Sequence, residues 1–531
     1  DVLTLESQNQ YENIGIQNNG LSVGLRWKKL YGSVSANLFT SNFGPIDSLR
    51  QFETVELPDG SSYRGRVIPW NPKVQKGVNA SLTYYQSEKT KYNYQFRQFD
   101  ETVSMYGQVR RPQFRPYAID DVFHTLRTDH SFLIESYLTP DLYLQSTTGY
   151  NRYARISETT RLDIEPDTTS LVLGAQDTAL FTAILHRSSL SSQFDRKING
   201  QIGIEVLHET GGGGRIIDST TLPINRAILS NFAAWGSIRY QPASTFTLQA
   251  NLRAGYNTKY SHPLVPSIHA HWTPNRDWDV KLSYAHGFRA PTLKELHFNF
   301  IDINHFIIGN PDLKAENSQN LSLSTTYNKQ KKNHRLSLKG KLFYNSIQNR
   351  IVLAEFESLK FNYQNLAVFE THGINLSGEY QWKDQLKLSA GYAYTRLYNV
   401  WSEFSDVATF IPLPEWSNEL SFTIPKAEVF VVLTHRYIGQ QTRFFTGSDG
   451  NVEQGFIGDY HFLNATLSKS FWKDRITLAA GGKNLLNTQA VPSTAGGGGA
   501  HSGGGTTTLI NWGRNYFIRL NVRLSRPSWK R

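Results

Sequence analysis

A strict alternation of apolar and polar residues limits this chain to β-structure. In residues 244–256 the apolar side chains fall on even positions and the polar ones on odd positions, and residues 333–346, 386–396 and 516–524 repeat the pattern. Because successive side chains of a strand point to opposite faces, a period of two predicts strands with one apolar face. No segment has a convincing helical period, so we predict an all-β fold.

The connections between these strands alternate in length. Short turns are expected at 28–30, 87–89, 139–140, 194–197, 241–243, 273–276, 330–333, 382–385, 425–427 and 472–474. Longer loops are expected at 42–74, 101–121, 155–178, 210–228, 288–316, 401–414, 439–457 and 487–513. Threading the strands through this scheme gives about 22, all antiparallel, and short turns on one side with long loops on the other are typical of outer-membrane barrels.

Composition supports a barrel that crosses a membrane. Only 39% of the residues are hydrophobic, yet 13% are aromatic, and no apolar run reaches the ~18 residues that a membrane helix needs. In a transmembrane barrel only every second residue faces lipid, and aromatic girdles mark both interfaces. We therefore predict that residues 1–531 form one domain, a 22-stranded antiparallel transmembrane β-barrel with short periplasmic turns and long extracellular loops. The tryptophans beside the short turns, predicted to form the periplasmic girdle, are Trp27, Trp272, Trp278, Trp382 and Trp472.

The two faces of each strand predict two environments. We expect the apolar sets to face lipid, namely Phe246, Leu248, Leu252, Leu336, Leu338 and Leu342. We expect the intervening polar side chains to face the lumen, namely Thr247, Asn251, Arg253, Lys339 and Lys341. A shift of one residue in register would reverse every one of these assignments.

Charge and motifs exclude several classes of protein. The net charge is +11, but the basic residues are scattered singly, so we expect no nucleic-acid partner. Two readings of this charge stay open: lumen-facing cations that attract an anionic solute, or a surface that contacts anionic lipid. There is no cysteine, and neither a G-x-S-x-G nor an H-E-x-x-H motif occurs, so we expect no enzyme.

A family resemblance rests on four stretches in order. Residues 287–317 begin GFRAPTLKEL and end NPDLKAEN, residues 361–377 contain FNYQNLA and THGINLS, and residues 481–487 read GGKNLLN. Residues 496–517 contain glycine runs and end WGRNYF. Together these stretches resemble the TonB-dependent outer-membrane transporters, and the last of them resembles members from the Bacteroidota.

The resemblance implies a mechanism and partners. Such proteins import a scarce, large solute across the outer membrane, of the ferric siderophore, cobalamin or haem class. A plug domain fills the barrel, and the TonB–ExbB–ExbD complex acts through that plug. Because this chain begins at the first barrel strand, we expect the plug in a separate segment or chain. The other expected partners are outer-membrane lipid and a surface lipoprotein. The alternatives are a passive porin-type channel and an outer-membrane scaffold that binds a surface protein through its loops.

Candidate site residues lie mainly in residues 288–316. This segment carries much apolar surface, including Phe298 and Phe300, so we expect it to pack toward the lumen. Arg289 and Glu295 are expected to anchor it, with direct ligand contact as the alternative. Asn310, in its second motif, is a candidate for the same two roles.

Three histidines are candidate ligands. The resemblance makes His297 and His305 candidate haem ligands, since haem receptors of the family carry a histidine between the two motifs, and loop packing is the alternative. His501, among glycines, is either a turn residue or a ligand. We expect no resident cofactor or metal site, and haem or an iron chelate would be the transported substrate.

Overall fold

The computed structural model describes residues 2–43, 54–56, 62–64, 70–110, 115–164, 167–193, 197–216, 226–301, 306–357, 360–403, 406–446, 452–494 and 507–526. In this part of the chain, 22 antiparallel strands close into one barrel, which confirms the predicted fold. That residues 1–531 form a single domain stays a prediction.

The strands of the barrel wall follow one another around the ring. In the first half they are β1 (Val2–Glu12), β2 (Ile16–Trp27), β3 (Leu30–Ser41), β6 (Lys73–Tyr85), β7 (Thr90–Met105), β8 (Tyr117–Thr139), β9 (Leu142–Asp163), β11 (Asp177–Gln193), β12 (Ile198–Gly213), β13 (Arg226–Ala243) and β14 (Phe246–Asn257). In the second half they are β15 (Val265–Trp272), β16 (Trp278–Arg289), β19 (Glu316–Lys331), β20 (His334–Glu357), β21 (Lys360–Trp382), β22 (Leu386–Tyr398), β23 (Phe410–Ile424), β24 (Val429–Ile438), β27 (Tyr460–Phe471), β28 (Ile476–Lys483) and β31 (Asn515–Arg526).

The long loops contain shorter strands and helices. They are β4 (Thr54–Glu56), β5 (Ser62–Arg64), β10 (Thr168–Leu171), α1 (Leu293–His297), β17 (Asn299–Ile301), β18 (Phe306–Ile308), a 3-10 helix (Val400–Glu403), β25 (Gln441–Thr446), β26 (Val452–Ile457), β29 (Ala490–Pro492) and β30 (Thr507–Leu509). Among the described residues, no helix is both long and apolar enough to span a membrane.

The barrel closes where its first strand meets its last. β1 pairs antiparallel with β31, from Leu3 opposite Arg526 to Glu12 opposite Phe517. At the long-loop end of this seam the Glu12 carboxylate is buried, accepts a hydrogen bond from Asn515, and lies 2.5 Å from the Lys483 ammonium. Because Asn515 and Lys483 come from the last two strands, this cluster joins the two ends of the wall.

The predicted sidedness is confirmed by burial and contacts. Leu252 and Leu338 are 49% and 46% exposed on the outer face, where lipid would cover them. On the opposite face Arg253 donates to Glu205 of β12 at 2.7 Å. Lumen-facing charges therefore pair across strands, while the outer face stays apolar at these positions.

Three expectations about local structure need correction. The turn expected at 241–243 lies at 244–245, because a bulge between Tyr240 and Ala243 lengthens β13. Several expected loops are shorter, since β7 continues to Met105 and β9 to Asp163. The chain also contains the helix α1, which the alternation pattern could not predict, because five residues are too few to show a period.

The longest strands have more residues than are needed to cross a membrane. β20 and β21 have 24 and 23 residues, whereas a tilted strand crosses a bilayer in roughly 9–11 residues. Their upper halves therefore stand above the membrane on the long-loop side. The chain after β16 folds against the parts of these strands that stand above the membrane.

Candidate functional site

An arginine between two glutamates organises the loop that follows β16. Arg289, the last residue of β16, binds Glu316 with two hydrogen bonds, of 2.8 Å from Nε and 2.6 Å from Nη2. Its Nη1 donates to Glu295 at 2.9 Å. One guanidinium thus ties the start of the loop, its helix and its end. That Arg289 and Glu295 act as anchors and not as ligand contacts stays a prediction.

The helix α1 has a complete N-terminal cap. The Glu295 amide donates to Thr292 Oγ1 at 3.2 Å, and the Thr292 amide donates to Glu295 Oε2 at 2.7 Å. This reciprocal pair satisfies two amides that a helix start leaves without partners. Because Glu295 also binds Arg289, the cap orients the helix relative to β16.

Two apolar contacts fasten the loop to the barrel wall. Leu293 packs with Ile216, Ala227 and Leu229, while Leu296 packs with Leu313 and Ile351. By alternation, Ala227, Leu229 and Ile351 lie on the inner face of their strands, the face opposite the lipid-facing leucines. The prediction that residues 288–316 pack toward the lumen rather than form a free flap is confirmed for its described residues.

The end of the loop is tied to β21. Asn310 donates from Nδ2 to the Tyr363 carbonyl at 2.9 Å, and Asn365 exchanges hydrogen bonds with the backbone of Lys314. Gly309 passes so close to α1 that a Cβ there would lie 2.6 Å from the Phe298 nitrogen. These contacts give a structural reason for the NPDL motif and for the separate stretch 361–367.

The buried histidine of α1 faces a lysine. His297 is 9% exposed, and its Nε2 lies 3.0 Å from the Lys259 ammonium. An imidazole nitrogen in this position accepts a hydrogen bond and is then not free to bind iron. His305 and His501 lie outside the described residues.

A buried tyrosine, Tyr260, also packs beside α1. Burial, and secondarily the nearby Glu295 carboxylate, raise the pKa of Tyr260 to about 12. Tyr260 lies in the short loop between β14 and β15 and packs against the cluster of Leu296, Leu313 and Ile351. Sequence reasoning missed it, because nothing in the alternation pattern links this loop to α1.

The family model described as "TonB dependent receptor-like, beta-barrel" matches residues 7–485. This chain belongs to the TonB-dependent receptor family. The receptor is accordingly an outer-membrane protein. The matched residues take in nearly the whole barrel wall and the loop anchored by Arg289.

A curated relative comes from Vibrio cholerae. The "Iron-regulated outer membrane virulence protein" of that organism is 26% identical over 210 residues, which cover 36% of the receptor chain and 31% of the relative. The match thus spans about a third of the relative's length.

Solved structures share the architecture of the receptor. The FrpB iron transporter of Neisseria meningitidis has a TM-score of 0.72 at 13% identity, covering 99% of this chain and 82% of that one. The ferric enterobactin receptor PfeA of Pseudomonas aeruginosa, a mutant bound to enterobactin, has a TM-score of 0.72 at 14% identity, with coverages of 98% and 81%. At these identities the likeness establishes the fold.

Proposed function

We propose that this receptor imports an iron chelate actively across the outer membrane. The observation that carries the proposal is the family match over residues 7–485 on a closed 22-stranded wall. The names of the relatives support iron as the cargo, since they include an iron transporter, a ferric enterobactin receptor and an iron-regulated outer membrane protein. Of the three expected substrate classes, we therefore favour the ferric siderophore class over cobalamin and haem.

The mechanism assigns the packed loop a fixed position over the barrel. Arg289, Glu295 and Asn310 hold the described residues of 289–316 against the inner wall, so the upper lumen has a preformed shape for a large solute. A plug segment closes the barrel below, and the TonB–ExbB–ExbD complex pulls on the plug to open a path. The surface lipoprotein stays a prediction as a further partner.

A requirement for energy distinguishes active import from diffusion through a passive channel. A deletion strain carrying the full-length gene on a plasmid is grown under iron limitation, and uptake of radiolabelled ferric chelates is measured with and without a protonophore. Active import predicts that uptake requires the receptor and stops when the proton gradient collapses. Uptake that continues at the same rate after collapse would contradict active import and favour the porin-type alternative.

Haem remains testable through its two candidate ligands. We expect a His297→Ala/His305→Ala receptor to keep ferric siderophore uptake, because Nε2 of His297 faces Lys259 and not the lumen solvent. Loss of haem-dependent growth with siderophore uptake intact would instead identify haem as the substrate. A Lys259→Ala receptor serves as the matched control, since it removes the partner of His297 but leaves both imidazoles.

A further inference from the structure

A broad groove runs across the lipid-facing side of six neighbouring strands, from β9 to β15. It has a volume of about 1350 Å³. Gly200 and Gly236 lack side chains there, whereas Ile202 and Ile238 on the same face are 64% and 59% exposed. We define this outer groove by six of its apolar residues, namely Leu190, Ile202, Ile204, Gly236, Leu252 and Ile268.

Three basic side chains cross the wall directly above the outer groove. Counted from the short-turn end of its strand, His130 is the tenth residue of β8, while Arg152 and His208 are the eleventh residues of β9 and β12. A tilted strand crosses a bilayer in roughly 9–11 residues, so all three lie where the wall leaves the outer leaflet. We call them the basic row.

The basic row faces outward. His130 is opposite Tyr150, Tyr150 is opposite Ile184, and Ile184 is opposite His208. Ile184 is 46% exposed on the lipid-facing side, and residues opposite each other share a face. Arg152 lies two residues beyond Tyr150 and therefore has the same orientation.

Each histidine of the basic row is oriented by a hydroxyl group. Tyr94 Oη lies 2.7 Å from Nδ1 of His130, and Ser230 Oγ lies 2.8 Å from Nδ1 of His208. A hydroxyl that donates to Nδ1 leaves the proton of the neutral ring on Nε2. Within the described residues neither Nε2 has a hydrogen-bond partner in the protein, so each ring keeps a donor for a ligand.

Arg152 leaves positive charge at this position. It is exposed and has no carboxylate partner in the part of the chain that the structure describes. Its cross-strand neighbours are the hydroxyl residues Thr128 and Thr182. On β7 to β9 the outward carboxylates, Asp100 and Glu158 among them, lie at least one cross-strand row further from the groove. A guanidinium so placed suits a phosphate, which it can bind with two hydrogen bonds.

The spacing suits a large lipid with more than one polar group. His130 and His208 are three strand spacings of about 4.8 Å apart in one row, which separates their backbones by roughly 14 Å. Arg152 lies between them in the next row. The outer groove below spans about 24 Å by the same spacing, and an acyl chain is about as thick as one strand spacing. The groove therefore holds several chains side by side.

We propose that the outer groove and the basic row bind one outer-leaflet lipid that carries several acyl chains and a phosphorylated headgroup. The chains lie in the groove, and phosphate oxygens accept hydrogen bonds from Arg152, His130 and His208. Lipid tails are as apolar as the leucine and isoleucine side chains, so the chains alone give little preference for this site. The headgroup contacts supply the selectivity. This inference does not depend on which solute the receptor imports.

The probe for this proposal is purified lipid A with six acyl chains and two phosphates. Native mass spectrometry of the full-length receptor in detergent measures its binding during a titration. We expect one bound lipid per wild-type receptor. Arg152→Gln/His130→Gln should weaken binding about tenfold or more, because charged hydrogen bonds to phosphate are lost. Removing both phosphates from the lipid should weaken its binding to the wild type in the same way.

Gly236→Leu tests the outer groove without altering the basic row. A Cβ at this position meets only the Gln201 carbonyl oxygen, at 3.9 Å, so the strand accommodates the larger residue. The leucine side chain then fills the floor of the groove. We expect weaker lipid A binding in this variant too, which keeps the proposal testable if the double variant fails to fold.

The matched control is Arg396→Gln/His372→Gln. These two residues are cross-strand partners on β22 and β21, away from the outer groove, and the control removes the same residue types. It should bind lipid A as the wild type does. The proposal is overturned by a wild type that does not bind lipid A or by equal binding to Arg152→Gln/His130→Gln. An equal loss in the control overturns it as well, and so does equally tight binding of phosphatidylglycerol, which has a phosphate but only two chains.

Discussion

Arg289 and Glu316 face each other as cross-strand partners on β16 and β19, although 27 residues of chain separate them. Their two parallel hydrogen bonds close the loop at its base, and the remaining nitrogen of Arg289 holds Glu295 of α1. Glu316 Oε1 also accepts a hydrogen bond of 2.7 Å from the Ile351 amide. The base of the loop is thus connected to three neighbouring strands.

Replacing Arg289 with alanine should release the loop without unfolding the barrel. It leaves the carboxylates of Glu295 and Glu316, each about 15% exposed, without their cation, at a cost of about 2 kcal/mol. We expect faster proteolysis within residues 289–316 and weaker chelate binding. The control is Arg436→Ala, whose pair with Glu415 is exposed on both sides and should matter little. Equal protease resistance of Arg289→Ala and wild type would contradict the anchoring role.

Gly309→Ala should also release the loop, because the added methyl group would clash with the backbone of α1. A methyl group at this position would lie 2.7 Å from the His297 nitrogen and 2.6 Å from the Phe298 nitrogen, and backbone atoms cannot move aside cheaply. Forcing such contacts costs about 1–3 kcal/mol. Gly340→Ala is the control, because its nearest neighbours would be side chains at 3.6 Å and 3.7 Å. Protease sensitivity should rise for Gly309→Ala only, and a rise in both variants would contradict this reason.

An arginine on the outer face should prevent efficient membrane insertion. Leu338→Arg places a charge on the lipid-facing side of β20, where a mid-bilayer arginine costs about 2–4 kcal/mol. Ser337→Arg, at the preceding residue, places the same charge in the lumen and should fold normally. Folding into lipid vesicles is followed by the shift in gel mobility that barrels show before heating. Normal folding of both variants, or failure of both, would contradict the assigned sidedness.

The loop should open at alkaline pH through Tyr260. Burial, with a smaller contribution from Glu295, raises the pKa of this phenol from 10.0 to about 12, so the folded loop binds the proton more tightly than the open one. The stabilisation is complete below pH 10 and is lost as the pH rises through the folded value. We expect protease sensitivity of the loop to increase between pH 10 and 12, and less so in Tyr260→Phe. The same pH profile for both proteins would show that another group titrates.

The candidate haem ligands were named from the family pattern and not from packing. His297 is described and buried against Lys259, but His305 and His501 lie outside the described residues. The anchoring roles expected of Arg289 and Glu295 followed from the need to pack an apolar loop. A ligand role cannot be inferred in that way, since it depends on what the side chain faces after folding.

The sequence by itself determined the strands, the face that each residue occupies and the rhythm of turns and loops. Those properties are local, because alternation and turn residues act within a few positions of one another. Only the tertiary structure decided that Arg289 meets Glu316 and that α1 rests on Leu229 and Ile351. These contacts depend on strand register and barrel closure, which bring together residues that no sequence period connects.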